Sequence, residues 1–155
     1  MEEKKIAKAE YSIKRIVRKL LLTIQSSSLI PSIFRVKLLK IGGVEIGNSF
    51  IGDNVEFDGI HPELISIGNK TFVTSGCKII THFFSPEDST FYLGQVKIGN
   101  NVFLGMNTLI ISPVTIGDNA VLAAGSVVTR DIPSGEIWGG VPAKFIKKRI
   151  TKHNN

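Results

Sequence analysis

The 155 residues carry 19 Lys and Arg against 13 Asp and Glu, a formal net charge of +6, and 43% of them are hydrophobic. That length suits one domain with its own core, and the single cysteine, Cys77, excludes an intrachain disulfide and gives no sign of an oxidising compartment. The charge sits at the ends, +7 over 1–40 and +5 over 144–155 around a middle of −6. This argues against nucleic-acid binding, which needs basic residues and aromatics spread over one recognition face.

The first element is helical. Ile13, Ile16, Val17, Leu20, Leu21 and Ile24 recur at helical spacing with Lys14, Arg15, Arg18 and Lys19 between them, which predicts an amphipathic helix over 9–25. Leu20-Leu21-Leu22 is too short for a secretory core or a bilayer span, so the chain is expected to be cytoplasmic. Ser26-Ser27-Ser28 ends the helix, and Pro31 opens a second short one through Leu39. Residues 1–40 thus form a helical segment with two readings. It caps the open end of the domain C-terminal to it, or it is a basic amphipathic anchor touching the inner face of a membrane.

A repeat begins at Ile46 and occupies the 41–155 domain. Ile46 and Ile51 stand five apart, Ile51 and Phe57 six, and Ile67, Val73 and Ile79 keep the period of six. Four residues are inserted between Phe57 and Ile67, around Gly59–Glu63, and thirteen between Ile79 and Ile98, leaving the repeat as a loop over Phe83–Gln95. Cys77 falls in a small inward slot, where a buried hydrophobe belongs. From Ile98 six units run without a break, opening at Ile98, Leu104, Ile110, Ile116, Leu122 and Val128. Four positions after each opener stands a mostly small or β-branched residue: Val102, Thr108, Val114, Ala120, Ser126 and Ile132. Six positions advance an α-helix by about 600°, so no helix keeps these residues on one face. A triangular coil of three short strands does, with eighteen residues per turn and each turn burying its face on its neighbours.

These units, with the tail Gly140-Val141-Pro142-Ala143-Lys144, resemble the hexapeptide-repeat acyltransferase family over about two thirds of the chain, from Ile46 to about Ile150. The resemblance implies an all-β fold, a left-handed parallel β-helix with an N-terminal helical cap and a short C-terminal helix or tail. It implies an acetyl-CoA-dependent enzyme, needing no metal and built as a homotrimer whose sites lie between subunits. Transfer would be direct within a ternary complex, without an acyl-enzyme.

Thr81-His82 falls where sugar O-acetyltransferases of this family, of the maltose and galactoside type, place their catalytic histidine. A neutral imidazole there can take the acceptor hydroxyl's proton and return it to the departing thiolate. Asp58 is the first choice for orienting that imidazole or contacting the acceptor, and Asn54 lies in the stretch where relatives keep an acceptor-binding residue. Asp53 reads as a turn residue, and His61 as a cap of the inserted bulge or a second group near the site. Phe83, Phe84, Phe91 and Tyr92 either wall an acceptor pocket or bury the underside of their own loop.

For the co-substrate, the resemblance assigns the pantetheine arm to the backbone around Gly105 and Ala124. It assigns Thr129 and Arg130 to the family's Thr-Lys pair, and Lys144 and Lys147 to the nucleotide phosphates. Phe103 and Met106 depart from the residues the sugar acetyltransferases carry there, and Trp138 reads as packing.

The expected acceptor is a sugar hydroxyl on a nucleotide- or lipid-linked precursor, because the Phe57–Leu64 segment looks like acetyltransferases that decorate capsule, O-antigen or exopolysaccharide. Alternatives are an amino-sugar N-acetyltransferase, a serine acetyltransferase, whose Asp-His pair is not matched by Asp58-Gly59, and a non-catalytic trimeric scaffold. A zinc carbonic anhydrase of the same fold would need three histidine ligands. The chain has only His61, His82 and the tail residue His153.

Overall fold

A computed structural model describes residues 13–150. Two helices, α1 (Ile13–Ile24) and α2 (Ser32–Ile41), precede the repeat, as the sequence predicts, with Pro31 just before α2. Residues 9–12 of the expected first helix lie outside the described residues.

The repeat is a three-sided coil of very short parallel strands. Its first turn is β1 (Glu45–Ile46), β2 (Phe50–Ile51) and β3 (Glu56–Phe57). The second is β4 (Ile65–Ile67), β5 (Phe72–Val73) and β6 (Lys78–Ile79). A hairpin, β7 (His82–Ser85) and β8 (Thr90–Leu93), then stands off the coil. The third turn is β9 (Val96–Ile98), β10 (Phe103–Leu104) and β11 (Leu109–Ile110), and the fourth is β12 (Thr115–Ile116), β13 (Val121–Leu122) and β14 (Val127–Val128). The chain ends on β15 (Glu136–Gly139) and β16 (Lys144–Lys148).

Each strand pairs with the strand one turn away, giving three sheets: β1-β4-β9-β12, β2-β5-β10-β13-β15-β16, and β3-β6-β11-β14. The pairing carries the sequence arithmetic directly. Ile98 stands beside Ile116, eighteen residues on. Phe57 stands beside Ile79, four more than a full turn, and Ile79 beside Ile110, thirteen more. Both insertions therefore leave the coil at the corner between the third and first sheets.

Alternation along two-residue strands puts one residue in and one out. The inward column of Ile51, Val73, Leu104 and Leu122 is completely buried, and each such side chain contributes roughly 1.5–3 kcal/mol of transfer free energy. The small slots are filled by Thr71, Cys77, Thr108 and Ser126, all buried, whose polar atoms donate to nearby backbone carbonyls. Burial also pushes the Cys77 thiol up. Successive turns touch so closely that a Cβ on Gly105 would stand 2.5 Å from the Ala124 backbone nitrogen.

The first turn would expose an unpaired strand edge, and the helices satisfy it. Ser32 Oγ accepts from the Ile51 N–H at 2.9 Å, Arg35 Nη1 donates to Ile51 O at 3.0 Å, and Gln25 Nε2 donates to Val55 O at 2.8 Å. Among the described residues, α1, α2 and the link between them thus cap the first turn of the coil.

The C-terminus departs from expectation. Residues 144–148 form neither helix nor free tail: β16 runs antiparallel to β15 and covers the last edge. A Lys-Phe-Ile-Lys-Lys strand finds there an open ladder, the edge-to-face contact of Phe145 with Trp138, and a following Arg149 that donates to Asn101 O and Asn119 O.

Candidate active site

The site grows from the corner between the third and first sheets, where the coil twice leaves its period. Asp58 follows β3 and Thr81-His82 follows β6 one turn above, so stacking brings together residues twenty-four apart in sequence. His82 Nδ1 lies 2.7 Å from Asp58 Oδ2. Asp58 is 1% exposed. The same Oδ2 accepts from the Thr81 backbone N–H and its hydroxyl, and Oδ1 accepts from the N–H groups of Ile60 and His61.

Burial by itself would raise the Asp58 carboxyl. The Thr81 hydroxyl and the N–H groups of Ile60, Thr81 and His61 outweigh it and hold the group at about 2. A carboxylate ionised at neutral pH can only accept, so the proton of this contact belongs to His82 Nδ1, and in the neutral imidazole the lone pair is the one on Nε2. The His82 side chain is partly exposed while its partner is sealed. The pair is therefore an oriented imidazole facing outward from a rigid corner.

The segment 59–64, which contains the four-residue insertion, builds this carboxylate cradle. Pro62–Leu64 is a short 3₁₀ turn, and the bulge before it delivers the two N–H groups that reach Asp58. His61 turns its ring away to Glu63 at 3.0 Å, and Arg18 of α1 reaches the same carboxyl at 3.0 Å. His61 thus caps the bulge, and its contribution to the site is its backbone.

The thirteen-residue insertion is a hairpin, with antiparallel pairing from His82↔Leu93 to Ser85↔Thr90. Cross-strand partners share a face and alternate residues oppose it. Phe84 and Phe91 therefore stand on the face that His82 occupies, with ring centroids 5.1 Å apart. Phe83 and Tyr92 stack at 5.0 Å on the opposite face. There the Tyr92 hydroxyl donates to Asp88, which raises the phenol and lowers the carboxyl. The structure thus brings Phe84 to the candidate base and leaves Tyr92 holding the hairpin together. Thr81, two residues after the inward Ile79, is completely buried.

Asn54 does not join His82 within one chain. It sits in the turn between the second and third sheets with φ +52°, and its N–H donates to Ser26 O of the cap. Asp53 bonds the Ser75 hydroxyl in that turn. Gly105 and Ala124 stack on the same second-to-third corner, whereas Thr129 and Arg130, both exposed, follow β14 on the corner of Asp58 and His82. Lys144 and Lys147 are exposed on β16. Trp138 packs against the core and donates Nε1–H to Glu136. Among the described residues no three His, Cys, Asp or Glu side chains come together as a metal site; His153 lies outside them.

Comparison with known proteins agrees with this architecture. The family model described as bacterial transferase hexapeptide (six repeats) matches residues 95–130. Protein CapG of Staphylococcus aureus is 42% identical over 121 residues, covering 72% of this chain and 69% of that protein. A maltose O-acetyltransferase from Clostridium difficile 630 superposes with a TM-score of 0.67 at 26% identity, covering 89% of this chain and 87% of that one. A galactoside acetyltransferase in complex with coenzyme A superposes with a TM-score of 0.64 at 26% identity, over 90% and 84% of the two chains. The chain spans about half the length of two further curated relatives, 51% and 54%. The repeat, its two corner insertions and these similarities lead to one conclusion: the chain belongs to the hexapeptide-repeat acyltransferase family.

Proposed function

We propose that the protein is an acetyl-CoA-dependent O-acetyltransferase acting on a sugar hydroxyl, with His82 as general base and Asp58 as the residue that orients it. The observation that carries this reading is the 2.7 Å contact between a partly exposed imidazole and a sealed, ionised carboxylate. The names of the maltose O-acetyltransferase and the coenzyme A-bound galactoside acetyltransferase support acetyl transfer and a sugar acceptor. The Phe57–Leu64 segment's likeness to capsule, O-antigen and exopolysaccharide acetyltransferases supports a surface-polysaccharide precursor.

His82 Nε2 takes the proton of the acceptor hydroxyl as its oxygen attacks the acetyl thioester. Asp58 stabilises the imidazolium so formed, and the proton then passes to the departing thiolate. A general base of this kind is worth roughly 10²–10⁴-fold in rate. The acceptor's apolar ring face packs on Phe84, on the His82 side of the hairpin.

The coil is left-handed in this reading, and the site lies between two copies of a homotrimer. The distribution of residues supports that arrangement. Thr129 and Arg130 share the corner of His82, but Gly105 and Ala124 lie across the third sheet, so a groove using all four is completed by a second chain. Lys144 and Lys147 then meet the nucleotide phosphates.

Thiol release from acetyl-CoA, measured against sugars, nucleotide-linked sugars, amino-sugars and serine, tests the proposal. Release with hydroxyl sugars is the expected outcome. Release only with amino-sugars or only with serine contradicts the acceptor assignment, and failure to bind acetyl-CoA contradicts the activity.

A further inference from the structure

The amphipathic helix α1 is mounted with its apolar side outward. At 100° per residue, Ile16, Val17, Leu20 and Ile24 fall within about 100° of arc. They are 42–58% exposed. The side turned to the coil carries Leu22, the buried Gln25 that bonds Val55 O, and Arg18 paired to Glu63. Capping the coil therefore uses the side of Arg18, Leu22 and Gln25 and leaves the apolar stripe without a partner among the described residues. Leu29, after the helix, and Phe34 of α2 are exposed as well. An exposed apolar stripe of this kind marks a binding site.

Its surroundings identify the occupant. Between Tyr11 and Val44 the sequence contains seven Lys and Arg and no acid. Lys19 of α1 and Lys37 and Lys40 of α2 are exposed, and Lys37 lies 5.6 Å from the centroid of the Phe34 ring. Two copies meeting through this patch would set like charges against one another, whereas an anionic surface would meet both the cations and the apolar stripe. No helix among the described residues is long and apolar enough to cross a membrane. We propose that the outer face of α1, continued onto α2, seats the protein on the surface of an anionic lipid bilayer, in the plane of the headgroups. A sugar acceptor carried on a lipid would then be presented to a site held at the membrane. That consequence rests on the proposed function, but the binding itself does not.

The test is co-sedimentation of the full chain with phosphatidylglycerol–phosphatidylcholine vesicles and with phosphatidylcholine vesicles alone. The expected result is partitioning into the anionic vesicles that falls by about tenfold or more on neutral ones and on raising salt from about 0.1 to 0.5 M. The double variant Ile16→Glu/Leu20→Glu should lose binding by a similar factor while keeping the thermal transition and the basal thiol release. A second variant, Lys37→Gln/Lys40→Gln, should weaken anionic binding alone. Equal partitioning into both vesicles, or full binding by the variants, overturns the proposal. So does an absence of vesicle binding with Ile16→Glu/Leu20→Glu lowering the oligomer mass, which would assign the stripe to a second copy. Vesicle binding requires no acetyl-CoA, so its failure would leave the acyltransferase reading untouched, and the reverse.

Discussion

Asp58 shows how one carboxylate links stability to function. Burial opposes its charge, and four donors from Thr81, Ile60 and His61 restore it, taking the group from an ordinary 3.8 to about 2. Between those values the unfolded chain binds more protons than the folded one. The stabilisation is complete above about pH 4 and drains away as the pH falls toward 2; at neutral pH it is on the order of 2 kcal/mol. Asp58→Asn should therefore lower the stability read by urea unfolding at pH 7 by about that amount, and the gap to the wild type should shrink to about a third of it by pH 2.5. A gap independent of pH would show that the carboxylate's charge has no part in it. His82 was legible in the sequence because it stands at the mouth of an insertion. Its pairing with Asp58 was less so, because the register crosses four inserted residues, and only stacking of the two turns shows that they compensate.

At the scale of elements, the period of six made the coil legible, since an aliphatic at every sixth position has no other regular solution. The two ends and the long insertion were harder to read. The insertion reads as a loop because its aromatics interrupt the repeat, yet Phe83, Phe84, Phe91 and Tyr92 pair across two strands and make their own hairpin. Lys144–Lys148 reads as a tail because it is charged, yet an open ladder recruits it as a strand. The hairpin's alternation has a consequence for the acceptor. Phe84→Ala should raise the acceptor KM several-fold with the dissociation constant for acetyl-CoA unchanged, since the lost ring face is worth about 1 kcal/mol. Tyr92→Phe, on the other face, should leave that KM where it is. Steady-state kinetics with both substrates varied separates the two; equal effects would mean the hairpin faces are not distinguished by the acceptor.

Across the whole molecule, the helices close the first turn and β16 closes the last, so the coil has capped ends and three exposed sides. The candidate residues are divided between two of its corners, and the site proposed here needs a neighbour to bring those corners together. Co-assembly of His82→Ala chains with Ala124→Trp chains should therefore restore about a quarter of wild-type thiol release, because in a randomly mixed cyclic oligomer that fraction of grooves combines one intact corner from each chain. A site within one chain would recover nothing. The most direct measurement is kcat for acetyl-CoA thiol release by His82→Ala beside the wild type, with acetyl-CoA binding followed in parallel. A general base at His82 requires a fall of roughly 10²–10⁴-fold with binding preserved; an unchanged kcat would contradict that role.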